Sequence, residues 1–352
     1  MPKQWGSQFW LRNAARTSMR CARTSPTSST ARHPEGVHGR RISPWLLRSA
    51  ITIVTLMLSA VATQAQPGTT DYSKATTKTV KLRGNLTLLL ITTPEDINKV
   101  LILDGPEGLL IVDHPEAVAG PIVKKTLDEF GGKPVKFLIN THWHYDHVGG
   151  NEIYGPDAVI VAQENVLKRM SAAQTPFWTK TPIGPYPQKA LPRIIYTDSL
   201  KIIFDGEDIE LDHYATGHTD GDSVVYFKNA NVVHVADIYD GKGSLAGGAD
   251  IVGIAKSLTA VRDRINDDTI IITGHSADLS NRAELSQYVK LVDLTIDQVR
   301  ADIAAGRSES EIIARGMPDA WRAWFPGNKL PIAADFLKSI YESLTHTNRI
   351  DQ

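Results

Sequence analysis

Between residues 141 and 150 the chain reads Thr-His-Trp-His-Tyr-Asp-His-Val-Gly-Gly, so three histidines and an aspartate fall within six positions. They follow directly on an apolar, β-rich run, Val135–Asn140. Donors this dense cannot sit inside an apolar core unpaired, so the strand must deliver them to a rim. Imidazole and carboxylate are the ligands of a hydrolytic divalent ion. On an extended loop, alternate residues point the same way, which aims His142 and His144 together.

Three further segments repeat this arrangement of an apolar run followed by a donor. They are His218 in TGHTDGDSVVYF, Asp237 in VVHVADIYD and His275 in IIITGHS. Each donor stands where a strand ends, at one rim of the sheets. A chance surface cluster of histidines does not repeat in this way.

Around these segments the chain alternates short β-rich runs with turn residues and helical stretches. Strands are expected at Val80–Leu82, Leu86–Thr92, Val100–Leu103, Leu109–Asp113, Val135–Asn140 and Ala158–Ala162. Further strands are expected at Ile194–Tyr196, Lys201–Phe204, Ile209–Tyr214, Ser223–Phe227, Val232–Ala236 and Thr269–Thr273. Helices are expected at Pro115–Phe130, Glu164–Met170 and about Gly253–Ile265. Leu285, Val289, Val292, Ile296, Val299 and Ile303 form one apolar stripe on a helix from Asn281 to Gly306. Ser308 and Glu311 carry a capping signature, and Pro331 is expected to open a last helix to about Leu344. This tail reads as helices packed on the core, without chemistry of its own.

In order, His-x-His-x-Asp-His, Gly-His-Thr, Ala-Asp and Gly-His resemble the metallo-β-lactamase superfamily over about Leu86 to Ser276. The resemblance implies an α/β (α+β) fold, a four-layer αββα sandwich with the metals at one edge, here with a C-terminal helical extension. From this and the composition of its ends, the chain is expected to divide into a leader at 1–66, a catalytic domain at 67–280 and C-terminal helices at 281–352. The resemblance puts a first metal on His142, His144 and His218 and a second on Asp146, His147 and His275, with Asp237 bridging them. The implied reaction is hydrolysis by a hydroxide shared between two zinc ions, with Asp146 orienting it and passing on its proton.

Zinc suits such a donor set, and iron or manganese also accept it. The diiron redox branch of the superfamily has Glu where this chain has His144, which favours hydrolysis. Typical metallo-β-lactamases carry Cys, or in one subclass Ser, where Asp237 stands; Asp there is the pattern of glyoxalase II and lactonases. An ester, lactone or amide is therefore the expected small-molecule substrate, with β-lactams one member of that set. Two alternatives stand beside this reading: an iron enzyme resembling persulfide dioxygenases, and a metal-binding protein without catalysis.

Composition narrows the field further. Of 38 Lys/Arg and 39 Asp/Glu, nine and one lie in residues 1–66, leaving 29 and 38 in the remainder. A body this acidic is a poor partner for nucleic acid. The single cysteine, Cys21, lies in the leader, so the body has neither disulfides nor a thiol nucleophile.

Within the leader, Arg40, Arg41 and Arg48 precede an apolar core, Ala50–Ala62, and small residues follow at Ala60, Ala62 and Ala65. These are the parts of a signal peptide, with cleavage expected near Ala62 or Ala65 and a periplasmic or secreted product. The core of 13 residues is short of the roughly 20 that a spanning helix needs, so no stable membrane anchoring is expected after cleavage. The long stretch before Arg41 suggests a translation start downstream of residue 1.

Phe177, Trp178 and Tyr186, in the proline-rich segment Ser171–Pro192, are candidate substrate-binding residues. Trp143 and Tyr145 are expected to be packing residues beneath the metal loop, with substrate contact the alternative role of Tyr145. His114, His213 and His234 are expected to be satisfied structural histidines, and Asp222 a turn cap.

Overall fold

The computed structural model describes residues 70–175, 182–248, 250–325, 327, 330 and 333–347. The leader with its cleavage sites, Phe177 and Trp178, and Pro331 lie outside them. Two sheets dominate. The first runs in chain order: β1 (Thr76–Lys81), β2 (Leu86–Thr92), β3 (Ile97–Gly105), β4 (Gly108–Val112), β5 (Val135–Ile139), β6 (Val159–Gln163) and β7 (Ile194–Tyr196). Its first four strands are antiparallel hairpins and β4 to β7 are parallel.

The second sheet comprises β8 (Ser199–Phe204), β9 (Glu207–Asp212), β10 (Val224–Phe227), β11 (Val232–Ala236) and β12 (Ile270–Thr273), in spatial order β12-β11-β10-β9-β8. The β8–β9 hairpin closes on Asp205-Gly206, both at positive φ (48° and 80°), which is the backbone an Asp-Gly turn supplies. Within this sheet only β11 and β12 pair in parallel.

Side chains of β2 sort by period two. Leu86, Leu88 and Leu90 enter a core shared with Ile209, Leu211, Val225 and Phe227 of the second sheet, so the sheets pack face to face. Leu89 and Ile91 point outward, under Ala119, Val123 and Leu127. The strand is buried on both faces, hence its apolar run Leu88–Ile91. On the far side, Val233, Val235 and Ile271 are covered by α5 (Ile251–Arg264), α6 (Arg282–Ala304), α7 (Glu309–Arg315) and α8 (Ala334–Thr345). The layers are therefore helix, sheet, sheet, helix. Among the described residues, no helix is long and apolar enough to cross a membrane.

Some elements depart from their expected form. The helix expected from Pro115 starts later: a 3-10 turn spans Ala117–Ala119, and α1 (Gly120–Asp128) begins with Pro121 in its first turn, where a missing N–H costs nothing. The metal-loop sequence is not extended throughout, since α2 (Tyr145–Val148) and α3 (Asn151–Tyr154) interrupt it. Segments of four residues carry no readable periodicity. The same limit hid a 3-10 turn, Asp319–Trp324, whose Trp321 and Trp324 are fully buried. Asn281 and Ser308 cap α6 and α7, the latter in a full capping box with Glu311.

Candidate metal centre

The rim is built where β4, β5, β11 and β12 end. After β5 the chain bends through Thr141, His142 and Trp143, returns to extended backbone at His144 (φ −62°, ψ 148°) and then coils into α2. This change of conformation separates the donors. His142 and His144, ahead of the helix, fall in one donor group, while Asp146 and His147, in its first turn, fall in the neighbouring one. A buried amide pair locks the return of the chain: Asn140 Nδ2 donates to Asn151 Oδ1 at 3.0 Å, and Asn151 Nδ2 donates to Asn140 Oδ1 at 2.8 Å. Gly150 is required here, because a Cβ would lie 2.0 Å from the His114 ring.

Two groups of donors result, His142, His144, His218 and Asp237, and beside them Asp146, His147 and His275. All seven residues singled out in the sequence are thereby brought together. His218 Nε2 lies 2.9 Å from His144 Nδ1. Asp237 Oδ2 lies 3.6 Å from His142 Nε2, 3.4 Å from His218 Nε2, 3.3 Å from His147 Nε2 and 3.0 Å from His275 Nε2. One carboxylate oxygen thus faces both groups. Asp146 Oδ2 lies 3.4 Å from the Nε2 atoms of both His147 and His275.

The donor set fits a metal centre. His142 Nε2 and His147 Nε2 are buried, form no hydrogen bond and converge on a carboxylate. Their opposite ring nitrogens are anchored, as ligating imidazoles require. His147 Nδ1 lies 2.9 Å from Asp113 Oδ2, and Asp113 also accepts from Thr141 N at 2.8 Å and Thr141 Oγ1 at 2.7 Å. Thr141 Oγ1 is in turn 3.1 Å from His142 Nδ1. His218 Nδ1 donates to the Gly247 carbonyl at 2.7 Å, and His275 Nδ1 lies 2.8 Å from Asp96 Oδ1.

Electrostatics divide the imidazoles. Burial holds His142 well below the ordinary histidine range. Burial acts the same way on His147 and His275, but Asp237 and the neighbouring carboxylates override it and raise both well above that range. For Asp146 and Asp237 burial works upward, and His147 with its neighbouring imidazoles pulls both carboxyls far down. Asp240 is pushed up to about 6 by burial and by Asp237.

Asp237 is presented by an irregularity. The β11–β12 register shifts between His234 and Ala236, and Ala236 sits at φ 46°. The amide freed there is taken by the buried His234, whose Nδ1 accepts from Ala236 N at 3.1 Å. His234 supports the bulge, and burial keeps it neutral by lowering it to about 4. The expectation of satisfied histidines needs correction: His114 and His234 each leave Nε2 buried without a hydrogen bond, while Nδ1 of His114 binds the Pro115 carbonyl. His213 Nδ1 donates to the Asp222 carbonyl. Asp222 does cap its turn, accepting from Thr219 N and Oγ1.

A cavity of about 270 Å³ opens above the donors, lined also by Asp96, Tyr145, Asp240, Gly247 and Gly248. Trp143 is buried beneath, with Val166 and Met170. Tyr186 packs against this same apolar cluster and is not among the residues lining the cavity, while Phe177 and Trp178 fall outside the described residues. Sequence reading passed over Asp113, Asp96, Asp240 and Lys99. Lys99 is buried on β3 and donates to Thr273 O and Oγ1, both at 2.8 Å; burial lowers it to about 8. Asp113 had a readable signal, an aspartate ending the apolar run GLLIV.

Residues 94–275, over half of the chain, match the metallo-beta-lactamase superfamily. Over 153 residues the chain is 28% identical to the 2,4-dinitroanisole O-demethylase subunit alpha of Nocardioides sp. (strain JS1661), a stretch covering 42% of each protein. The chain thus spans less than half the length of that relative. A metallo-beta-lactamase from Pontibacter korlensis superposes with a TM-score of 0.51 at 16% identity, over 62% of this chain and 99% of that one. A double mutant of the sec-alkyl sulfatase PisA1 gives 0.60 at 16% identity, over 76% and 50%. At these identities the likeness is one of fold, and it agrees with the sandwich and rim described above. The family match, the αββα layers and the convergent donors lead to one conclusion: the chain belongs to the metallo-beta-lactamase superfamily.

Proposed function

We propose that the protein is a hydrolase of an ester, lactone or amide bond that works with two zinc ions, after export and removal of its leader. The observation that carries this reading is the position of Asp237 Oδ2, within 3.0 to 3.6 Å of four imidazole nitrogens, two from each donor group. A terminal ligand serving one ion would have no reason to face both groups. His142, His144 and His218 would hold one ion, Asp146, His147 and His275 the other, with Asp237 between them.

A bound pair of divalent ions supplies Lewis acidity and brings the pKa of an attacking water toward about 7. The chain's own residues do the rest. Asp146, ionised and on the cavity wall, orients the water and accepts its proton. Tyr145, beside it on the same wall, contacts the substrate. Asp113, Asp96 and the Gly247 carbonyl keep the imidazole rings from turning.

The test is a hydrolysis panel of nitrocefin, homoserine lactones, aryl esters and aryl sulfates, extended to 2,4-dinitroanisole because of the relative's name. Metal content is measured on the same preparation. The reading expects about two zinc per chain and turnover of at least one ester, lactone or amide, lost in His144→Ala. Turnover that survives in that variant, or a preparation holding one iron, defeats it.

A further inference from the structure

The helices that follow the sandwich were expected to carry no chemistry, yet they reach the metal centre through one loop. Three side chains from three separate C-terminal elements bind the backbone of residues 244–248. Trp324, in the 3-10 turn, donates Nε1–H to the Ser244 carbonyl at 3.1 Å. Tyr288 of α6 accepts from Ala246 N at 3.0 Å. Ser339 of α8 donates to the Gly248 carbonyl at 2.9 Å. Backbone groups of residues 244, 246 and 248 thus turn toward the helices, and the intervening Gly247 carbonyl turns to His218 Nδ1 at 2.7 Å.

The loop has little room to move. A Cβ on Gly248 would lie 2.7 Å from His218 Cα, and Asp250 N donates to the Gly217 carbonyl at 2.9 Å. Tyr288 also packs against Tyr239, with ring centroids 5.0 Å apart and the rings tilted by 50°. Tyr239 lies two residues after Asp237, and its carbonyl accepts from Gly274 N beside His275.

We propose that Tyr288, Trp324 and Ser339 are positioning residues, and that the C-terminal helices clamp the 244–248 loop so that the Gly247 carbonyl holds His218 with Nε2 toward Asp237. The consequence for a metal on His218 rests on the functional reading given above; the clamp itself does not. A carbonyl acceptor forces Nδ1 to carry the proton, so the clamp selects the His218 tautomer whose Nε2 is an acceptor, here facing His144 Nδ1 at 2.9 Å and Asp237 Oδ2 at 3.4 Å.

The experiment uses the full chain with Tyr288→Phe, Ser339→Ala and their combination, which remove hydroxyls and leave the buried rings in place. Ser343→Ala is the control, because that hydroxyl bonds within α8 to the Ser339 carbonyl. In metal-free protein, amide exchange at residues 244–248 should rise several-fold in each single variant and more than tenfold in the double. The imidazole ¹⁵N shifts of His218 should move from a single Nδ1–H tautomer toward a mixture. On zinc titration the first equivalent should weaken by roughly 10- to 100-fold in the double variant while the second is retained. Ser343→Ala should match the wild type throughout. Wild-type exchange and tautomer in the double variant overturn the clamp, as does a faster loop with unchanged His218 shifts. A wild-type protein that takes up no metal defeats the functional reading, while exchange and tautomer still decide the clamp.

Discussion

The two donor groups lie against one another but are supported in different ways. His142 and His218 are anchored by neutral acceptors, Thr141 Oγ1 and the Gly247 carbonyl. His147 and His275 are anchored by carboxylates, Asp113 and Asp96, and face a third, Asp146. Burial dominates His142 and keeps it neutral, whereas the carboxylates overcome burial at His147 and His275. The difference teaches that His142 can take a cation as it stands, while His147 and His275 must give up protons for one. Asp237, facing both, ties the two behaviours together.

The largest effect is expected where the groups meet. Asp237→Ala removes the shared carboxylate, so both equivalents of metal should weaken and hydrolysis should fall by about a thousandfold, as the loss of several kcal/mol of transition-state stabilisation implies. Metal titration and kcat/KM on the best panel substrate measure this. A variant that lost only one equivalent would separate the groups.

Next come the anchors of the second group. Asp113→Asn and Asp96→Asn should each weaken the second equivalent by roughly 10- to 100-fold and leave the first near wild type. Titration of the apoprotein followed by calorimetry reads both constants. Equal weakening of both equivalents would break the asymmetry.

The pH dependence sharpens the same contrast. With pKa values raised above the ordinary range, His147 and His275 hold protons in the metal-free protein that an ion must displace. Lowering the pH below neutrality should therefore release the second equivalent first, with affinity falling by up to about tenfold per pH unit for each displaced proton. His142, which burial keeps neutral, adds no such proton to the first equivalent. Equilibrium dialysis at stepped pH checks the order of release.

The smallest effect concerns the bulge behind Asp237. His234, lowered to about 4 in the fold, stays neutral where the unfolded chain would be protonated, so falling pH between about 6.5 and 4 favours unfolding. In His234→Gln this contribution is absent, and stability should fall less steeply over that window, by about 1.4 kcal/mol per pH unit. Urea unfolding of the metal-free proteins at pH 7 and pH 5 gives the two slopes.

What could be read in the sequence followed from one physical rule. Each of the seven donors stands just past an apolar run, so strand periodicity and residue chemistry together located them. Asp113 obeys the same rule and went unread, because a lone aspartate ending a strand has many uses. Asp96 lies in the Thr93–Asp96 turn, where nothing in the spacing points to His275. The Gly247 carbonyl is backbone and leaves no side-chain signature at all. Strand patterning in both halves pointed to sheets covered by helices, and the sandwich itself followed from the family resemblance, whereas α2, α3 and the Asp319–Trp324 turn are too short to show a period. The tail's apolar stripe announced its packing, and its grip on residues 244–248 depends on single polar atoms that no periodicity reports.

The most direct measurement is anomalous diffraction at the zinc edge from crystals of the zinc-loaded protein. Two peaks roughly 3.5–4 Å apart, one on each side of the Asp237 carboxylate, are what this account predicts. A single peak, or zinc bound away from His142, His147, His218 and His275, would contradict it.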